Sequence, residues 1–256
     1  MVLAARGWPG WWTVGWVTAA MVGARTCAMA VNRVVDRVVD AENPRTADRH
    51  LPRGLLTATD MTLFAAAGAL LLLVAALMLN PLCLVLAPLA LVFLVGYSYT
   101  KFFTWTSHWI LGFTDGIAAA GGWIAVRGAF EAPAFLLWFA LTVWIAGFDL
   151  IYACQDIAFD RAHGLHSVPA RFGAHAALVI ARLNHAFTAA ALAVLGLLMG
   201  LGPIYWMGWL AVAGLLVYEH SLVKPHDLAR VDLAFFNVNG YIAVIVLLAT
   251  VGGLLW

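Results

Sequence analysis

Apolar residues run through this chain in long blocks separated by short polar stretches. A helix needs about 20 mostly apolar residues to cross the hydrocarbon core of a bilayer. On that rule the pattern predicts eight helices, at roughly 11–38, 58–79, 82–100, 108–127, 133–158, 174–200, 203–222 and 232–256. Asn80-Pro81 and Gly202-Pro203 mark tight breaks, as the backbone preferences of Pro and Gly imply. Longer connections fall at 41–57, 159–173 and 221–231, with a shorter one at 101–107. The expected fold is all-α and polytopic, one membrane domain over 1–256.

Composition strengthens that reading. The chain is 64% hydrophobic and 11% charged, with a mean hydropathy of +0.92, where a soluble domain carries about 25% charged residues. A net charge of +1 gives no reason to expect a nucleic-acid partner. Cys27, Cys83 and Cys154 all fall in apolar runs and read as small core residues, not as a disulfide framework or a metal site. The first 31 residues, with Arg6 and Arg25 around a Trp/Gly/Ala-rich run, show no small-residue cleavage site, so no removable signal peptide is expected.

Alternation of eight helices puts Arg45, Arg49, Arg53, Lys101, Arg161, Arg171, Lys224 and Arg230 on one side and leaves Arg6 and Arg127 on the other. Basic loops stay in the cytoplasm, so the long loops are expected there and both termini outside. Arg25, Asp115, Asp149, Glu219 and His220 stand within apolar runs. A charge at mid-membrane costs about 2.5–3.5 kcal/mol on the lenient scale, which makes each a site candidate. Glu219 and His220 lie near a helix end, where snorkelling explains them equally well.

The densest polar stretch is Asn32 to Gly54, NRVVDRVVDAENPRTADRHLPRG. Asn32, Asp36 and Asp40 recur every four residues and so share one helical face. Such a set of oxygens suits a hard cation such as Mg²⁺. Arg45, Arg49 and Arg53 follow at the same spacing in a stretch broken by Pro44 and Pro52, and guanidinium forks suit phosphate oxygens. Together they describe a site for a metal–diphosphate. A second stretch, DLIYACQDIAFDRAHGLHSVPARFG, repeats the scheme. Asp149, Asp156 and Asp160 stand at steps of seven and four on one expected face, with Tyr152 and Gln155 nearby and Arg161 and Arg171 in the loop beyond. His163 and His166 read as loop residues, not metal ligands.

These motifs resemble the two aspartate-rich signatures of the UbiA-type intramembrane prenyltransferases, and YSYTKFFTW resembles the Tyr-x-x-x-Lys connection between them, here Tyr97 and Lys101. The likeness runs from about Ala24 to the C-terminus. It is nearest to the bacterial 4-hydroxybenzoate polyprenyltransferase branch, and Asn-Arg, Asn-Pro-Arg-Thr and Gly-Leu-His-Ser are similar to members assigned to menaquinone biosynthesis through futalosine. The resemblance implies helices around a central cavity open to lipid, in a bacterial cytoplasmic membrane, with the site towards the cytoplasm. It implies Mg²⁺ as cofactor, held by Asn32, Asp36, Asp40, Asp156 and Asp160 to the diphosphate of a polyprenyl donor. It gives Arg45, Arg49 and Lys101 to that diphosphate and Arg25 to the aromatic acid acceptor; by their place in the polar stretches Arg53, Tyr97, Asp149, Tyr152, Gln155 and Arg161 are expected in the substrate site as well. The partners implied are the two substrates and the bilayer, with no obligate protein partner.

Three positions depart from the family pattern. Arg33 replaces an Asp, Phe102 an Arg and His166 a Lys. The family also has nine helices as a rule, with one before the helix of the first motif, so the expectation is a start that lacks that helix. A cation-coupled transporter, with paired intramembrane acids, is the rival class. An inactive shortened homologue is a third.

Overall fold

The computed structural model describes residues 1–255. They form α1 (Val2–Ala5), α2 (Trp11–Glu42), α3 (Ala58–Leu79), α4 (Pro81–Thr100), α5 (Ser107–Arg127), α6 (Ala132–Ala153), a 3₁₀ turn (Cys154–Asp156), α7 (Ile157–Ala162), α8 (Val168–Met199), α9 (Pro203–Leu222), a π-helical turn (Leu233–Val238) and α10 (Asn239–Leu255). Among the described residues there is one isolated bridge, Lys224 with Asp227, and no strand. The all-helical expectation therefore holds. Among the described residues, seven helical stretches are long and apolar enough to cross a membrane. Pro203–Leu222 forms as expected but falls outside that set, because Tyr205, Trp206, Trp209, Glu219, His220 and Ser221 dilute its apolarity.

The chain divides into two compact units, 10–103 and 1–9 with 104–256. In the first, α2, α3 and α4 pack together. Thr57 and Asp60 form a reciprocal cap at the start of α3. Asn80 accepts the Cys83 N–H at 3.0 Å and Pro81 takes the first position of α4, where its missing N–H costs nothing. The tightest approach is between α2 and α3. A Cβ on Gly23 would lie 2.6 Å from the Gly68 carbonyl oxygen, and one on Gly68 equally close to that of Gly23. Two bare glycines let the backbones touch, which is how helices associate where no hydrophobic gradient drives them.

In the second unit α5, α6 and α8 make the main layer, with α9 and α10 packed as a pair and α1 against α5 and α10. Leu150, Ile151, Ala177, Ala181, Leu195 and Val212 are fully enclosed in its core. Gly112 lies against the Thr142 carbonyl and Gly147 against the His185 ring, leaving no room for a methyl at either. Large apolar side chains such as Leu197 (72% exposed) and Val217 (73%) point outwards, a surface suited to lipid and not to water.

The expected helices differ from the structure at several points. The span 133–158 is not one α-helix: it tightens to a 3₁₀ turn at 154–156, so Asp149 lies on α6, Asp156 in the turn and Asp160 on α7. The helix expected from 174 begins at Val168, but Gly173 has φ 85°, so the regular part does start after it. Snorkelling is the wrong account of Glu219, which is fully buried. Its Oε1 accepts the Asn239 amide at 3.1 Å, Asn239 in turn accepts the Trp144 indole N–H at 2.9 Å, and His185 Nδ1 lies 3.4 Å from Oε2 and 3.0 Å from His220 Nε2. This polar knot ties α6, α8, α9 and α10, and within it Glu219 Oε2 has the 3.4 Å approach of His185 but no hydrogen bond.

Candidate active site

Helix α2 runs four residues further than the apolar pattern suggests, to Glu42, and this keeps Asn32, Asp36 and Asp40 on one unbroken helix. Asp36 and Asp40 are 3% and 5% exposed. Charges so enclosed need partners, and they have them. Asn32 donates to Asp36 Oδ2 at 3.0 Å, and Lys101 Nζ lies 2.7 Å from the same oxygen. Arg49 donates Nη1–H to both oxygens of Asp40 at 2.6 and 2.8 Å, and Arg33 lies 3.7 Å from Asp40. The other oxygen of Asp36, Oδ1, is buried without a hydrogen-bond donor.

The loop after α2 is shaped to bring Arg49 back. Asn43 accepts the Arg45 N–H at 3.0 Å, and Thr46 donates its hydroxyl to the Asp40 carbonyl at 3.0 Å, closing the helix end. Arg45 and Arg53 are exposed on that loop. Tyr97 is half-buried one turn before Lys101 on α4, within electrostatic reach of Arg33. Lys101 sits 5.7 Å from the centre of the Phe102 ring, so the residue standing where the family has Arg offers a π-face in its place. Arg25 is exposed on α2, and a separation of seven residues, two helical turns, puts it on the face of Asn32.

In the second unit Asp160 is tied to the loop that follows it. Ser167 donates its hydroxyl to Asp160 Oδ2 at 2.8 Å and accepts the Ala170 N–H at 3.2 Å, capping α8. Arg161 Nε donates to the Ala170 carbonyl at 2.7 Å, and Arg171 stacks over Phe172 and Trp105. A cavity of about 330 Å³ opens among Asp160, Arg161, Leu165, Ser167, Ala170 and Arg171. Asp149 is held on α6 by His108 Nδ1 at 2.6 Å. Tyr152 stacks on Phe235 of the π-helical turn at 4.3 Å, and Gln155 is exposed beside it. His163 stacks on Phe159, the loop role expected of it.

Among the described residues no three His, Cys, Asp or Glu side chains converge closely enough to hold a metal by themselves. Each unit offers carboxylates beside cations, an arrangement that suits a metal arriving with phosphate oxygens of its own. Sequence reasoning missed His108 and Ser167. A lone His at the start of an apolar helix and a Ser after His166 carry no spacing signal. It also missed Arg33 as a contact of Asp40, since the residue registered only as a departure.

A helical membrane protein with two acidic clusters, the first gripped by Arg49 and Lys101 and the second beside Arg161 and Arg171 at one cavity, is the class that fold and site define. Residues 1–250 match the family model described as the UbiA prenyltransferase family, and the chain belongs to that family. It is 29% identical, over all of its own length and 88% of the relative's, to a 4-hydroxybenzoate octaprenyltransferase of Aliivibrio fischeri. The apo structure of a UbiA homologue from Aeropyrum pernix K1 superposes with a TM-score of 0.88 at 31% identity, over 97% of this chain and 91% of that one. A UbiA homologue from Archaeoglobus fulgidus bound to DMAPP and Mg²⁺ shares the fold at a TM-score of 0.69 and 17% identity, over 95% and 91% of the two chains.

Proposed function

We propose that this chain transfers a polyprenyl group from polyprenyl diphosphate to the ring of an aromatic acid, with Mg²⁺ as cofactor, in quinone biosynthesis. The acid is of the 4-hydroxybenzoate or 1,4-dihydroxy-6-naphthoate type, for ubiquinone or menaquinone respectively. The observation that carries the reading is the α2 face: two buried carboxylates gripped by Lys101 and Arg49, with Asp36 Oδ1 left as an acceptor without a donor. A buried orphan oxygen of that kind is a place for a cation. Asn32, Asp36 and Asp40 would hold Mg²⁺ on α2, and Asp156 and Asp160 in the second unit. The name of the Aliivibrio relative and the ligands of the Archaeoglobus homologue support the same reading.

The reaction breaks an allylic C–O bond, and the diphosphate leaves with the electron pair. The acceptor's ring carbon beside its hydroxyl forms the new C–C bond and then loses its proton. When bound, Mg²⁺ supplies neutralisation of the charge that builds on the departing diphosphate. Lys101, Arg45, Arg49, Arg53 and Arg161 add donors suited to phosphate oxygens. Aromatic faces such as Tyr152 and Phe235 shelter an allylic cation and keep water from it. The site faces the cytoplasm of a bacterial inner membrane.

Membrane fractions supplied with Mg²⁺, a polyprenyl diphosphate and each acid in turn test the reading. The wild-type chain is expected to form a prenylated acid. Asp36→Asn and Asp156→Asn are each expected to lower the rate by about 10²–10³, the effect of removing one transition-state charge partner, about 3–4 kcal/mol. Near-normal product from either variant would overturn the requirement for both acidic clusters.

A further inference from the structure

One histidine on α5 is built into the second acidic cluster by both of its ring nitrogens. His108 is 3% exposed. Its Nδ1 lies 2.6 Å from Asp149 Oδ2 on α6, and its Nε2 lies 3.2 Å from the backbone N of Val168, the first residue of α8. An amide N–H only donates, so Nε2 carries the lone pair and the ring proton sits on Nδ1, where it is donated to Asp149. The tautomer is set by a backbone group that cannot turn away. Val168 follows Ser167, whose hydroxyl donates to Asp160 Oδ2 at 2.8 Å. A continuous chain of bonds therefore runs from Asp149 through His108, Val168 and Ser167 to Asp160, across α6, α5, α8 and α7.

We propose that His108 is a positioning residue of the prenyl-transfer site: it locks Asp149 and the loop that holds Asp160 into one piece, so that two carboxylates separated along the chain keep a fixed geometry. The proposal rests on the function stated above. Its logic is that of an outer partner that orients a functional side chain, where a small loss of register costs rate without costing the fold. Asp149 Oδ2 is held by His108 at 2.6 Å. Trp109, next along α5, donates its indole N–H to Asn184 of α8 at 3.0 Å, a tie between the two helices that does not involve His108.

The experiment uses the full chain in detergent or nanodiscs with Mg²⁺, geranyl diphosphate as donor and 4-hydroxybenzoate as acceptor. His108→Leu, which removes both bonds, is expected to lower kcat by about ten-fold or more while KM for the donor changes less than two- to three-fold. His108→Gln is expected to recover most of that loss, because its amide N–H can serve Asp149 and its carbonyl can accept from Val168. In an Asp149→Ala background, His108→Leu is expected to cost clearly less than in the wild-type chain, since one of its two ties acts through Asp149. Losses that multiply in the double variant, or a Gln variant as poor as Leu, would overturn the proposal. A readout independent of turnover comes from ¹⁵N-histidine labelling of the wild-type protein, with His108 assigned by its absence in His108→Gln. The expected spectrum has a protonated Nδ1 and an unprotonated Nε2. The opposite tautomer, or exchange between the two, would overturn the proposal, whereas a wild-type chain that shows the expected tautomer but makes no product would instead refute the proposed function.

Discussion

Arg25 is a guanidinium on a membrane helix, two turns from the Asn32–Asp36 face and exposed on its surface. An unpaired cation in such a helix is expensive to keep, and the partner that suits it is a carboxylate able to take both of its N–H groups. Both proposed acceptors carry one. Hydrogen bonds to charged groups contribute about 1.5–3 kcal/mol, so Arg25→Leu is expected to raise KM for the aromatic acid by roughly ten- to a hundred-fold and to leave KM for the donor nearly unchanged. Steady-state kinetics with one substrate varied at a time measure this. A defect confined to the donor would remove Arg25 from the acceptor. Competing the two acids in one assay with the wild-type chain then shows which one the site prefers.

At the scale of elements, the small residues of α2 do unequal work. Gly15 and Gly23 look alike in sequence, yet a Cβ at Gly15 meets nothing within 4 Å and one at Gly23 runs into the Gly68 carbonyl. Gly23→Ala is therefore expected to force α2 and α3 apart and to cost about 1–3 kcal/mol, as overpacking does. Gly15→Ala is expected to be neutral or to stabilise by up to about 1 kcal/mol through helix propensity. Thermal unfolding in detergent separates the two, and equal effects would mean that the α2–α3 contact is looser than drawn. The same contrast shows what sequence can reveal. Helices at 58–79 and 203–222 were legible to the residue, because apolar length and Pro or Thr caps fix them locally. The four-residue rhythm of Asn32, Asp36 and Asp40 was legible for the same reason. The break at 154–156, the π-helical turn after Asp232 and the buried Glu219–Asn239–Trp144 bonds were not, since each depends on packing between residues far apart in the chain. His108 belongs to that second group, because its partners lie 41 and 60 residues away.

For the whole molecule, the decisive quantity is which way the basic loops face. Eight Lys or Arg side chains, Arg45, Arg49, Arg53, Lys101, Arg161, Arg171, Lys224 and Arg230, fall on one side by alternation, against Arg6 and Arg127 on the other. Arg127 is paired with Glu131, whose carboxyl is held below the usual carboxylate range by hydrogen bonds from Arg127 and Trp123. On that count the positive-inside rule predicts that these loops lie in the cytoplasm. Asp48 and Phe130 are exposed and are separated by α3, α4 and α5, three crossings, so they are expected on opposite sides. With Cys27, Cys83 and Cys154 replaced by alanine, Asp48→Cys should react with a membrane-impermeant maleimide only in inside-out vesicles, and Phe130→Cys only in right-side-out ones. Reversed labelling would overturn the orientation. Labelling of both from one side would mean that one of the three helices does not cross.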